Sequence, residues 1–187
     1  MTVDRKDHVQ PRRIFVLGAT GTIGRATVRA LVARGHNVVC LVRRLPDNGN
    51  ESAASTNGRN LQGAEFRTGD VTDPVSLACD GIRGERFDVL LSCLASRTGA
   101  PDDAWRIDHD AHVSALKQAE AAGVPHMILL SAICVQKPVL EFQRAKLAFE
   151  RTLAASGLDH TIVRPTAFFK SLSGQVERVQ RGKPFLM

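Results

Sequence analysis

Apolar residues fall into short runs separated by longer polar or mixed stretches, and the runs set the order of elements. Ile14, Phe15, Val16 and Leu17 follow one another directly, the pattern of a strand buried on both faces. Over 22–34 the apolar residues Ile23, Val28, Leu31 and Val32 recur at helical spacing, and Gly35 follows as a left-handed cap. The segments 38–42, 64–67, 87–95, 127–132 and 161–164 read as further strands. Long helices are expected over 102–122, ended by Gly123, and over 139–155, ended by Gly157, and Asp73-Pro74 opens a short one. Residues 45–62 are polar and without period, so a surface loop is expected there, and the polar, basic segment 1–12 reads as a disordered lead. Strands alternating with helices require right-handed crossovers, which predicts an α/β fold with a doubly wound parallel sheet.

Such a sheet holds its ligand outside the carboxyl ends of its strands, and the chemistry in this chain falls at those ends. The first strand runs into Gly18-Ala19-Thr20-Gly21-Thr22-Ile23-Gly24, and a helix follows. Gly18 permits a sharp turn, Gly21 permits close approach of a pyrophosphate, and Gly24 lets the helix pack near the strand. The helix N-terminus adds unpaired N–H groups and the positive end of a dipole. At the end of the second strand, where an acidic residue would bind a ribose 2′-hydroxyl, stand Arg43 and Arg44. A guanidinium there suits a 2′-phosphate, so NADPH is the expected cofactor. Asp70, followed by Val71, is placed either to accept from an adenine amino group or to serve as a helix N-cap or turn residue. Cys93, Leu94 and Ala95 end the fourth strand, Ser131 the fifth and Pro165 the sixth, and all are expected around the same crevice.

Composition narrows the picture further. The chain has 187 residues, 43% hydrophobic and 24% charged, the balance of a globular protein with a real core. No apolar run reaches the length of a transmembrane segment, and the N-terminus lacks a secretory pattern. The net charge of +6 suggests an anionic partner, but the basic residues are dispersed, with one tryptophan and no tyrosine to stack on bases. A small anionic ligand is therefore expected rather than nucleic acid. Of the four cysteines, Cys40, Cys93 and Cys134 lie in strand-like runs, so buried, reduced thiols are expected. No metal set is expected, because nothing completes the pair His109 and His112, which reads as a solvated helix face.

Three stretches carry a resemblance. The helix after the fifth strand bears Phe142-Gln143-Arg144-Ala145-Lys146, where short-chain dehydrogenases/reductases carry Tyr-x-x-x-Lys. Lys146 fills the lysine slot and Phe142 the tyrosine slot, so the chain resembles an atypical member of that group with a Rossmann-like fold. More specifically, Leu130-Ser131-Ala132-Ile133-Cys134-Val135-Gln136-Lys137-Pro138 and Val163-Arg164-Pro165-Thr166-Ala167-Phe168-Phe169-Lys170-Ser171-Leu172 resemble the divinyl chlorophyllide 8-vinyl reductases. That resemblance implies an oxidoreductase that uses NADPH to reduce the C8 vinyl group of divinyl (proto)chlorophyllide to ethyl in (bacterio)chlorophyll biosynthesis. It implies a tetrapyrrole substrate and a bacterial cytoplasmic location, at most peripheral to a photosynthetic membrane. It also explains the lost tyrosine, since adding a hydride and a proton to carbon leaves no carbonyl oxygen to protonate. Lys146 is then expected to orient the nicotinamide and its ribose, the alternative being an exposed helix lysine. Phe142 is expected either in the core or against the pigment ring. The cofactor domain is expected over 13–170, with 171–187 as the start of a substrate lobe that is largely missing. A non-catalytic NADP(H)-binding sensor or assembly protein is the competing expectation.

Overall fold

A computed structural model describes residues 10–45, 61–166, 176 and 178–184. Most of the lead 1–12, nearly all of the loop 45–62 and most of the segment 167–187, including Phe168, Phe169, Lys170 and Leu172, lie outside the described residues. The elements are β1 (Arg13–Leu17), α1 (Thr22–Ala33), β2 (Asn37–Val42), β3 (Ala64–Thr68), α2 (Pro74–Ser76), β4 (Val89–Ser92), α3 (Pro101–Ala104), α4 (Ala111–Ala121), β5 (His126–Leu130), α5 (Glu141–Ala155) and β6 (Asp159–Val163). Wide π-helical turns follow α2, at Leu77–Ile82, and join α3 to α4, at Trp105–Asp110. The single long helix expected over 102–122 is thus continuous but loosened in its first half.

All six strands are parallel, in the order β3-β2-β1-β4-β5-β6. The order reverses between β1 and β4, which sets the crevice above the β1 and β4 tips. The Rossmann-like, doubly wound sheet expected from the alternation of elements is what forms. β1 shows why its run carries no period of two. Phe15 and Leu17 join a core with Leu90, Met127, Leu129, Phe149 and Leu153 on one face. Ile14 and Val16 join Val28, Val38, Cys40 and Val89 on the other. A strand covered on both sides needs apolar residues at every position.

The edges are less covered. β6 is mostly exposed, and on β5 only Met127 and Leu129 are fully buried. Bidentate hydrogen bonds from Arg164 to the buried Glu150 of α5 tie down the end of β6. On β3, Arg67 is buried and donates to Gly81 O at 2.6 Å, Glu65 Oε1 at 2.7 Å and Glu85 Oε2 at 2.8 Å. That fan of bonds satisfies a guanidinium taken out of water and fixes the wide turn at Leu77–Ile82 to the sheet.

The cysteine expectation holds in part. Cys40 is buried, and burial pushes its thiol up to about 12. Cys134, expected in a buried strand, is instead exposed in a turn at φ 63° just past β5. The strand ends at Leu130, so the apolar residues beyond it belong to the connection.

Candidate functional site

The glycine turn is shaped by two contacts that admit no side chain. Gly18 sits at φ +75°, and a Cβ there would lie 2.6 Å from the carbonyl carbon and oxygen of Cys93. A Cβ on Gly24 would lie 2.1 Å from Gly18 O. The turn is thereby pressed onto the β4 tip behind it and onto α1 in front. Gly21, the exposed N-cap of α1, donates to Gly18 O at 3.1 Å. Among the described residues no side-chain bond from the N-cap position closes α1 and no acidic residue stands in its first turn, while Thr20 and Thr22 are exposed and Ile23 is half-buried. A helix start left open in this way accepts an anion.

Arg43 and Arg44 are exposed just beyond β2, and Asp70 is exposed beyond β3. Asp70 Oδ1 accepts from both Thr72 N and Thr72 Oγ1 at 2.8 Å. Those two bonds hold its carboxyl below the usual range, and the positive charges of Arg43 and Arg106 add to the effect. The turn and cap roles left open in the sequence are divided. Asp70 closes the turn, whereas Asp73 accepts from Val75 N at 2.9 Å and caps α2. Val71 is half-buried against the core.

At the tips of β4 and β5 the polar groups are buried. Ser92 Oγ lies 2.8 Å from His112 Nε2, and His112 Nδ1 lies 2.9 Å from Ile107 O. A carbonyl oxygen only accepts, so Nδ1 carries the proton and Nε2 accepts from the Ser92 hydroxyl. Ser92 Oγ in turn accepts from Leu94 N at 3.3 Å. Cys93 is half-buried with its thiol raised by burial, Leu94 is half-buried, and Ala95 is exposed. Ser131 is 5% exposed, and its Oγ has no hydrogen-bond partner among the described residues. An orphaned hydroxyl is the kind of group a ligand satisfies. Pro165 is half-buried just past β6.

Phe142 is half-buried, and Lys146 follows one helical turn later. The alternative of an exposed helix lysine is overturned: Lys146 is 5% exposed. Its ammonium stands 3.0 Å from Asp108 Oδ1, 3.3 Å from Leu94 O and 3.5 Å from Leu130 O. Asp108, 1% exposed, went unnoticed in the sequence; it lies in a run of charged residues, and its one signal is the four-residue spacing to His112. The solvated face expected for His109 and His112 is also corrected. His109 is half-buried beside Asp110, while His112 is fully buried with its ring 4.9 Å from that of Phe149. No metal-holding cluster of three or more groups occurs among the described residues.

Burial, then the nearby Lys146 ammonium, depress His112 from 6.5 to about 3. A base whose folded pKa is lowered binds its proton more readily when unfolded, so stability falls as pH drops below 6.5 and the loss is complete near 3. Between pH 6.5 and 5, His112 is expected to cost about 1.6 kcal/mol. Urea titrations at the two pH values check this, with His112→Gln expected to flatten the difference.

Residues 18–187 match the NAD(P)H-binding family model. The chain is 44% identical to divinyl chlorophyllide a 8-vinyl-reductase, chloroplastic, of Cucumis sativus, over 98% of this chain and 45% of that protein. It is 33% identical to photosystem II assembly factor Ycf39 of Cyanophora paradoxa, over 87% of this chain and 47% of that one. The chain therefore spans about half the length of the curated relatives it matches. Among solved structures, the Bordetella bronchiseptica enzyme WbmG in complex with NAD superposes with a TM-score of 0.71 at 18% identity, over 97% of this chain and 63% of that one. Similarity at that level shows the fold.

Proposed function

The chain belongs to the NAD(P)H-binding family, and on that premise we propose that it supplies the NADPH-binding half of a reductase that converts the C8 vinyl group of divinyl (proto)chlorophyllide to ethyl. The observation that carries this reading is the 44% identity to a named 8-vinyl-reductase along 98% of the chain. The absence of any tyrosine supports it, because reduction of a carbon–carbon double bond requires no acid at a carbonyl oxygen.

The residues present fit the cofactor. Gly18 and Gly24 hold the turn closed, and exposed Gly21 leaves the start of α1 open for the pyrophosphate. Laid across the strand tips, the adenosine half falls on the β2 and β3 side and the nicotinamide half on the β4 and β5 side. Arg43 and Arg44 then meet the 2′-phosphate, and their two positive charges outweigh the one negative charge of Asp70 nearby. Asp70 and Val71 border the adenine, while Cys93, Leu94, Ala95, Ser131 and Pro165 border the nicotinamide side. Once bound, the cofactor supplies a hydride to carbon. The chain's own part is to fix that geometry with Lys146 and the unpaired Ser131 hydroxyl.

A second reading is favoured by the likeness to Ycf39 and by Phe142 in place of an acid: a non-catalytic NADP(H)-binding assembly protein. Mixing NADPH and divinyl chlorophyllide with the protein from its whole reading frame separates the two. The reductase reading expects loss of the nicotinamide absorbance together with a shift of the pigment bands. Tight NADPH binding with neither change would establish the second reading.

A further inference from the structure

Lys146 is buried with each of its three ammonium donors already engaged, and the three contacts are unequal. Asp108 Oδ1 is nearest at 3.0 Å, whereas Leu94 O and Leu130 O stand at 3.3 and 3.5 Å. Side-chain exposure is 6% for Lys146 and 0% for Asp108. The carboxylate's other contacts, 3.4 and 3.3 Å to Ser96 N, are long. Neither charge has a comparable partner among the described residues, so exchanging the ion pair for another contact would strand a buried carboxylate. Exchanging one of the two long carbonyl contacts costs little, because a backbone carbonyl is neutral and keeps a second lone pair.

The same contacts hold the β4 tip. Leu94 O receives Lys146, Leu94 N reaches Ser92 Oγ, Ser96 N reaches Asp108, and Gly18 presses on Cys93 and Leu94 from the other side. Asp108 and His112 lie four residues apart on the helix that backs this tip, so one helix face presents both buried polar groups to it.

We propose that Asp108 is a positioning residue for the nicotinamide half of the cofactor: its buried carboxylate anchors the Lys146 ammonium at the β4 and β5 tips, leaving one carbonyl-directed donor free to be exchanged for a cofactor hydroxyl. The inference rests on the crevice being a dinucleotide site and adds the group that holds its lysine in place. It divides the cofactor in two. Loss of the anchor weakens contacts on the β4 and β5 side and leaves those at Arg43, on the far side of the glycine turn, unchanged.

The experiment compares NADPH, which carries the nicotinamide ribose, with 2′,5′-ADP, which carries only the adenosine half. Each is titrated against the wild-type chain, Asp108→Asn, Lys146→Met and the double variant Asp108→Leu/Lys146→Met, at a temperature where melting curves show every variant folded. The double variant removes both charges together, so it recovers thermal stability lost by either single change. For Asp108→Asn and for the double variant, NADPH affinity is expected to fall about tenfold or more, as for one charge-assisted hydrogen bond, with 2′,5′-ADP within twofold of wild type. NADPH affinity within twofold of wild type in Asp108→Asn, recovery of NADPH affinity along with stability in the double variant, or equal loss of both ligands would each overturn the proposal. Failure of the wild-type chain to bind either ligand would instead overturn the cofactor site itself, and the proposal with it.

Discussion

Gly24→Ala is expected to remove cofactor binding and to cost about 3 kcal/mol or more of stability, as overpacking against an unyielding neighbour does. The added Cβ would stand 2.1 Å from Gly18 O, more than 1 Å inside ordinary contact, which begins at 3.4 Å. A backbone carbonyl in a closed turn has no rotamer to escape into, so α1 must move away from β1. That movement carries the helix N-terminus, with its open N–H groups and dipole end, off the phosphate position. Alanine's better helix propensity, about 1 kcal/mol, is too small to offset it. Gly35→Ala is the control. Gly35 is at φ +79°, and a Cβ there would meet nothing within 4 Å, so the change carries only the left-handed strain of about 1–2 kcal/mol and leaves NADPH affinity intact. Chemical denaturation and fluorescence titration of the two variants measure both effects. Equal behaviour of Gly24→Ala and Gly35→Ala would refute the close approach.

Arg43→Asp is expected to weaken NADPH by about 10- to 150-fold while leaving NADH within a few-fold of wild type. A hydrogen bond to a charged group contributes about 1.5–3 kcal/mol, and each 1.4 kcal/mol is tenfold in affinity. The new carboxylate also adds to Asp70, whose charge Arg43 now balances, so the pocket's sign is reversed as well as its donor removed. Because Arg43 is exposed beyond β2, its removal leaves no cavity, and melting temperature is expected to stay unchanged. Parallel loss of NADH and NADPH would show that Arg43 has no part in choosing between them.

The centre of the sheet was legible because β1, β2 and β4 are covered on both faces and so appear as unbroken apolar runs, with β1 as the plainest case. The glycine turn was legible because only glycine fits at Gly18 and Gly24, where backbone atoms come within 3 Å of a side-chain position. Helix ends were marked by Gly35, Gly123 and Gly157, all at positive φ. What the sequence hid was buried polarity. Residues 102–110 contain Asp102, Asp103, Arg106, Asp108, His109 and Asp110, a run that reads as a wet surface. Its wide turns at Trp105–Asp110 change the angular step between residues, so a fixed helical period does not predict which ones face inward. Asp108 lies within that wide turn and His112 in the first turn of α4 after it, and their partners Lys146 and Ser92 come from distant segments. Cys134 was misplaced because the apolar run continues beyond Leu130, where the strand's pairing stops.

The most direct measurement follows one hydrogen. NADPH deuterated at the transferable position of its nicotinamide is incubated with divinyl chlorophyllide and the protein expressed from its whole reading frame, and the pigment is analysed by mass spectrometry and NMR. The expected product has an ethyl group at C8 that carries one deuterium per molecule. Unreduced pigment in the presence of bound NADPH, or an ethyl product without deuterium, would contradict the reductase reading.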